Sequence, residues 1–184
     1  MVAGNRMSGI DEPVTLSEYQ ASWPLAYETE RQRLSSALGG PAISLEHIGS
    51  TAVPGMVAKP IVDLMLGVGS FPPNAELMQA IEGAGYASFG EAGVPGRLYC
   101  RYRGAPPANL HVVLKGGTHW FNNLALREYL RGNAAARDRY ADAKRAALAS
   151  GACSLLAFST AKAGVIGNLL QEAVAAHTAG QAGH

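Results

Sequence analysis

The sequence predicts an α/β or α+β domain with a mixed sheet flanked by helices and a helical C-terminal layer. Three observations lead there. Pro60 to Val68 is almost continuously apolar and opens on a proline, as a buried strand does. Two further strand-like runs follow, Leu98 to Arg103 and Leu110 to Lys115. From Thr118 onward the pattern is helical throughout.

The elements follow in order. Residues 1–13 are small and polar without periodicity and are expected to form a loose tail. Ser22 precedes Trp23-Pro24, a helix start with proline in the first turn. Trp23, Tyr27, Leu34 and Leu38 fall near one face, and Gly39-Gly40 stops the helix. Ile43 to Ile48 reads as a short strand, and the strand from Pro60 comes next. Asn74 to Ala84 reads as a helix with Gly85 as its stop. After the two later strands, helices are expected from Thr118 to Arg131, from Ala134 to Ala149 and from Ser154 to Ala176. One domain is expected over residues 14–176, with a flexible tail at 177–184.

Composition bounds the function. The chain has 184 residues, 48% of them hydrophobic and 16% charged, with a net charge of +1. That is enough for one core and too apolar for disorder. No apolar run reaches the roughly 18 residues of a membrane span, so no membrane partner is expected. No N-terminal stretch reads as a secretory signal. Cys100 and Cys153 match no zinc or redox spacing and read as free thiols in a reducing cytoplasm. A sequence pI near 7.8 gives no reason to expect a nucleic-acid partner. A small anionic ligand fits. Walker, Gly-x-Ser-x-Gly and His-Glu-x-x-His patterns are absent, and Gly67-Val68-Gly69 lacks the third glycine of a dinucleotide loop. The oligomeric state is not legible.

Chemistry concentrates at His47-Ile48-Gly49-Ser50-Thr51-Ala52-Val53-Pro54-Gly55. A strand ending in Gly-Ser-Thr offers close backbone approach and two hydroxyls for an anion, or an ordinary turn capped by Ser50. Asp63 lies in the next strand among Ile61, Val62, Leu64 and Leu66. A carboxylate there needs a partner: a metal, a pairing with Lys59, or an arginine. Period two places Asp63 and Met65 on one face. From Ala92 to Leu126 there is no Asp or Glu, while Arg97, Arg101, Arg103 and Lys115 fall in that stretch and Arg127 follows. Arg97, Arg101 and Arg103 share a strand face, which suits phosphate recognition or a charge-guarded edge. His111 shares a face with Asn109 and Lys115 and reads as a core histidine, a metal ligand or a general base. Glu46 and His47 are further candidates, or structural partners. Lys162, on an Ala-rich helix, reaches the same place or extends to solvent.

Glu46 to Gly55, followed by Ala58-Lys59-Pro60-Ile61-Val62-Asp63, resembles the hallmark of the GrpB family, also called UPF0157. Trp23-Pro24, Gly93-Val94-Pro95-Gly96-Arg97, Leu110-His111-Val112-Val113, Leu126 to Arg131, Tyr140 with Lys144, and Ala161-Lys162 agree in order. The resemblance spans about Val14 to Ala175. It implies a nucleotidyltransferase-like fold, in which a Gly-Ser turn holds a nucleoside triphosphate and strand carboxylates hold divalent metal. Gly49-Ser50 matches the turn and Asp63 the first acid. Met65 stands at the second acid position and His111 at the third. The family is also similar to an extra C-terminal domain of some dephospho-CoA kinases.

The functional expectation is metal-dependent nucleotidyl transfer from an NTP to a small-molecule acceptor. Asp63 and His111 would be catalytic. Gly49, Ser50, Thr51, Lys59, Arg97, Arg127 and Lys162 would bind phosphate. Asp63, His111 and Glu46 would be the ligands of Mg²⁺ or Mn²⁺. The alternatives are a non-catalytic nucleotide- or anion-binding module on the same scaffold, and a metal-assisted hydrolase using Asp63, His111 and Glu46.

Overall fold

The computed structural model of the chain describes residues 9–40 and 44–181. Its centre is one mixed sheet of five strands in the order β1-β2-β5-β4-β3. These are β1 Ser44–Ile48, β2 Val62–Val68, β3 Ala87–Ser88, β4 Arg97–Tyr102 and β5 Ala108–Leu114. Only the central β2–β5 pair is parallel; the other three pairings are antiparallel. The helices are α1 Trp23–Ala37, α2 Ala75–Gly83, α3 Thr118–Gly132, α4 Ala134–Ala149 and α5 Leu155–Gln181.

Strand parity divides the core. Val62, Leu64 and Leu66 join Cys100, Leu110 and Val112 on the face covered by Leu34 of α1 and Ile81 of α2. Met65 turns to the opposite face, where it is buried with Ile48 and Val113 under Trp120 and Leu124 of α3. The C-terminal helices pack on one another, and Leu130, Tyr140 and Leu169 clasp Val53 and Met56 of the loop after β1. The sheet therefore separates a two-helix layer from the C-terminal bundle.

Local chemistry explains where observed boundaries differ from expected ones. Pro60 has no N–H to give to a ladder, and β2 starts two residues later, where the Val62 N–H bonds the Pro107 carbonyl at 3.2 Å. Strand β3 has two residues, too few to carry a readable period. Ile43, the expected start of the first strand, lies outside the described residues. Asn74 and Asn133 accept from the N–H groups of Leu77 and Ala136 and so cap α2 and α4. Ser22 precedes α1 without such a side-chain bond, leaving Pro24 as its start signal.

The segment 9–13, expected to be loose, is fastened. Ile10 is buried, Pro13 bridges Ser154, and the Glu12 carboxylate takes two bonds from Arg103. At the other end α5 continues to Gln181, five residues beyond the expected Ala176. Among the described residues no helix is long and apolar enough to cross a membrane.

Candidate functional site

The site begins at Gly49. Its φ of +70° with ψ of −168° is a backbone state that essentially only glycine holds at low cost. The missing side chain matters equally: a Cβ here would sit 2.6 Å from Asp63 Oδ2. The bend and the carboxylate are thus in direct contact, as the register Ile48 opposite Asp63 requires. A single 3-10 turn follows over Ser50–Ala52. Arg131 of α3 holds it by donating two bonds to the Ala52 carbonyl, at 3.0 and 2.9 Å.

Asp63 accepts from Asn109 Nδ2 at 2.8 Å and lies 3.4 Å from His111 Nε2. Burial pushes its pKa up, but the His111 hydrogen bond and charge, Lys59 and Asn109 outweigh that and hold it at about 2. Asp63 is therefore an anion at neutral pH. Beside it opens a cavity of about 430 Å³. Among the described residues, three lysines and one arginine (Lys59, Lys144, Lys162 and Arg97) line it, against Asp63 as the one carboxylate. Apolar walls come from Ile10, Leu16, Leu156 and Phe158.

The cations differ in how they are held. Desolvation lowers the Lys59 pKa, and Asp63 partly restores it. Arg97 gives one bond to the Glu91 carbonyl, while its Nε is a buried donor that no acceptor among the described residues reaches. Lys162 Nζ lies 3.3 Å from Tyr140 Oη. Lys144, at 2% exposure, donates to Ser50 Oγ at 2.5 Å and to the Val57 carbonyl at 2.7 Å. Its ammonium lies 3.9 Å from the Tyr140 ring centre. Burial, then the nearby Lys162 charge, drives its pKa down to about 6 despite Asp63. Both of its hydrogen-bond partners are uncharged.

Most of the expected residues come together: Gly49, Ser50, Thr51, Lys59, Asp63, Arg97, His111 and Lys162 all line the cavity. Several expected residues have partners inside the fold. Glu46 and Arg127 pair with each other at 2.8 Å, and Arg127 also bonds the His47 carbonyl and Glu128. Glu46 is thereby withdrawn from the metal set and Arg127 from the phosphate set. The Thr51 side chain is buried, and its hydroxyl shares a 3.0 Å hydrogen bond with His47 Nε2. Burial lowers the pKa of that histidine to about 4, so it is neutral and stacks on Tyr27. Arg101 and Arg103 fasten residues 9–12 instead of a ligand.

The residues present do not fit a two-ion centre. The second acid position, Met65, is fully buried under α3, and Glu46 is committed to Arg127. Among the described residues no group of three or more His, Cys, Asp or Glu side chains is arranged to hold a metal. Lys144 is the site residue that the sequence reading missed. The available signal was its helical phase: Ala136, Tyr140, Lys144 and Ala147 form the buried stripe of α4, and a lysine on such a stripe needs a buried partner.

Comparison with known proteins places the chain. The family model described as GrpB protein matches residues 13–172. A UPF0157 protein of Halalkalibacterium halodurans is 37% identical over 134 residues, covering 72% of this chain and 68% of that protein. The crystal structure of the conserved protein GrpB from Enterococcus faecalis superposes with a TM-score of 0.78 at 31% identity, covering 89% of this chain and 99% of that one. A shorter stretch of 77 residues is 35% identical to part of a dephospho-CoA kinase of Mycolicibacterium paratuberculosis, spanning 40% of this chain and 19% of the kinase. With the family model covering nearly all of the described fold and the solved relative sharing it, the chain belongs to the GrpB family.

Proposed function

We propose that this protein binds a small phosphate-bearing ligand, a nucleotide or related phosphate ester, in the cationic cavity, without needing a metal ion. The carrying observation is the charge imbalance of that cavity: Lys59, Lys162 and Arg97 surround one carboxylate among the described residues. The unpartnered Arg97 Nε supports the same reading, because a buried donor without an acceptor costs free energy that an oxyanion would recover. The apolar wall of Leu156 and Phe158 suits the base or another apolar part of such a ligand.

Titration calorimetry with ATP and with inorganic tripolyphosphate, each with and without EDTA, tests this. Binding of both should survive the chelator. Lys59→Met and Lys162→Met should each weaken it about tenfold, the value of one charge-assisted hydrogen bond. Absence of heat with either ligand would overturn the reading.

One observation favours a second reading, nucleotidyl transfer from an NTP to a small acceptor. The Asp63 carboxylate touches the Gly49-Ser50 bend, the relation that a triphosphate-gripping turn and its acid require. Product formation from ATP or GTP with Mn²⁺ or Mg²⁺, lost in Asp63→Ala, would establish it in place of the first.

A further inference from the structure

Ser50 and Lys144 are a second chemical feature of the cavity. Ser50 is half-buried and lines the cavity. Lys144 lies behind it, 2% exposed, with Nζ 2.5 Å from Ser50 Oγ. Three groups fix the amine in place: Ser50 Oγ, the Val57 carbonyl at 2.7 Å and the face of Tyr140 at 3.9 Å. The Val57 loop is in turn held by the buried cluster of Met56, Leu130 and Leu169. Anion binding alone calls for a lysine that projects into the cavity. This one is withdrawn behind a hydroxyl and bonded to neutral oxygens.

We propose that Ser50 and Lys144 form a serine–lysine nucleophile pair that cleaves a carboxylic ester whose alcohol part carries a phosphate. The phosphate end would sit among Lys59, Lys162 and Arg97, a placement that rests on the anion-binding reading above; the acyl chain would lie along the apolar wall. Ser50 Oγ attacks the ester carbonyl and forms a new C–O bond, while its proton passes to the Lys144 amine. The ester C–O bond then breaks, and the leaving alcohol takes that proton from Lys144. Water attacks the acyl-Ser50 carbonyl next, and Lys144 accepts its proton and returns it to Ser50 as the carboxylic acid departs. No electrons change hands.

The charges around Lys144 suit this role. Lys162 of α5 and Arg145 of its own helix oppose a second positive charge, while Asp63 of β2 favours one; desolvation is the largest influence. With a pKa of about 6 the amine is free to accept a proton at neutral pH. Acylation should therefore rise with pH through about 6 and level off above it.

The test uses p-nitrophenyl acetate, which carries no phosphate, and a fluorophosphonate probe, followed by intact-mass and peptide-mass analysis of the full chain. The expected result is one covalent adduct per chain, at Ser50, with a p-nitrophenol burst. Ser50→Ala should abolish the adduct. Lys144→Met should slow it by about 100-fold or more, with an unchanged circular dichroism spectrum as the check on folding. An unlabelled wild-type chain, or a label on another residue, would overturn the proposal, and wild-type labelling needs no variant to fold. Calorimetry with tripolyphosphate on the same preparation separates the two readings. Binding without labelling removes the nucleophile pair and leaves the anion site; labelling without binding does the reverse.

Discussion

Gly49 sets the distance between the hydroxyl-bearing bend and Asp63. Two independent constraints fall on it, the positive φ and the 2.6 Å approach that a Cβ would make to Asp63 Oδ2. Gly49→Ala should therefore lower stability by about 1–3 kcal/mol, measured by urea unfolding, and should weaken tripolyphosphate binding in calorimetry. Unchanged stability would show that the bend tolerates a side chain. Asp63 gives a pH signature. Its native pKa of about 2 lies below the ordinary value of 3.8, so its contribution is present above pH 4 and is lost as pH falls through 2. The depressed pKa amounts to roughly 2 kcal/mol. Asp63→Asn should flatten the stability profile over that acid window. A wild-type profile that is already flat between pH 4 and 2 would contradict the assignment.

At the level of elements, β2 makes the division between site and core. Asp63 and Met65 share a face, but α3 covers only the second, with Trp120 and Leu124 packed on Met65. Met65→Leu conserves shape and should cost less than about 1.5 kcal/mol. Met65→Asp buries a carboxylate without a partner and should cost about 3 kcal/mol or more, read by thermal unfolding, without creating Mn²⁺ binding. Tight Mn²⁺ binding by Met65→Asp would show that the scaffold still holds a two-ion centre. A comparable buried charge lies on the other side of the sheet. Glu30 of α1 is fully buried and accepts from Tyr86 Oη at 2.6 Å and from Arg33. Glu30→Ala should cost about 3 kcal/mol in the same unfolding experiment, and a loss below 1 kcal/mol would show that the network is not needed.

The elements also show what sequence patterns carry. The parity of β2 and β4 was legible, because alternation reports which face is buried, and Leu98, Cys100 and Tyr102 do face the α1–α2 layer. The Gly49–Asp63 contact was legible in outline, since the two lie at the ends of neighbouring strands. Pairings across the sheet and between layers were not. Glu46 with Arg127 and Arg103 with Glu12 join residues 81 and 91 positions apart, and nothing local announces them. The same holds for Lys144, whose partner Ser50 lies 94 positions away. Its place on a buried helical stripe signalled that a partner existed, not which one.

Over the whole molecule, the sheet carries the acid and the bend, and the C-terminal bundle carries Lys144, Lys162 and much of the apolar wall. Residues 10–16 close one side, held by Arg101 of β4 and by Arg103 just after it. The cavity thus exists only where the two layers and the N-terminal segment meet. On the proposed function its cations grip phosphate directly, with no metal between phosphate and Asp63. A crystal structure of the protein soaked with ATP and MnCl₂, with anomalous maps at the manganese edge, tests this most directly. Phosphate oxygens are expected within hydrogen-bond reach of Lys59, Lys162 and Arg97, with no anomalous peak at Asp63. A manganese peak bridging Asp63 and the triphosphate, or ATP bound outside this cavity, would contradict it.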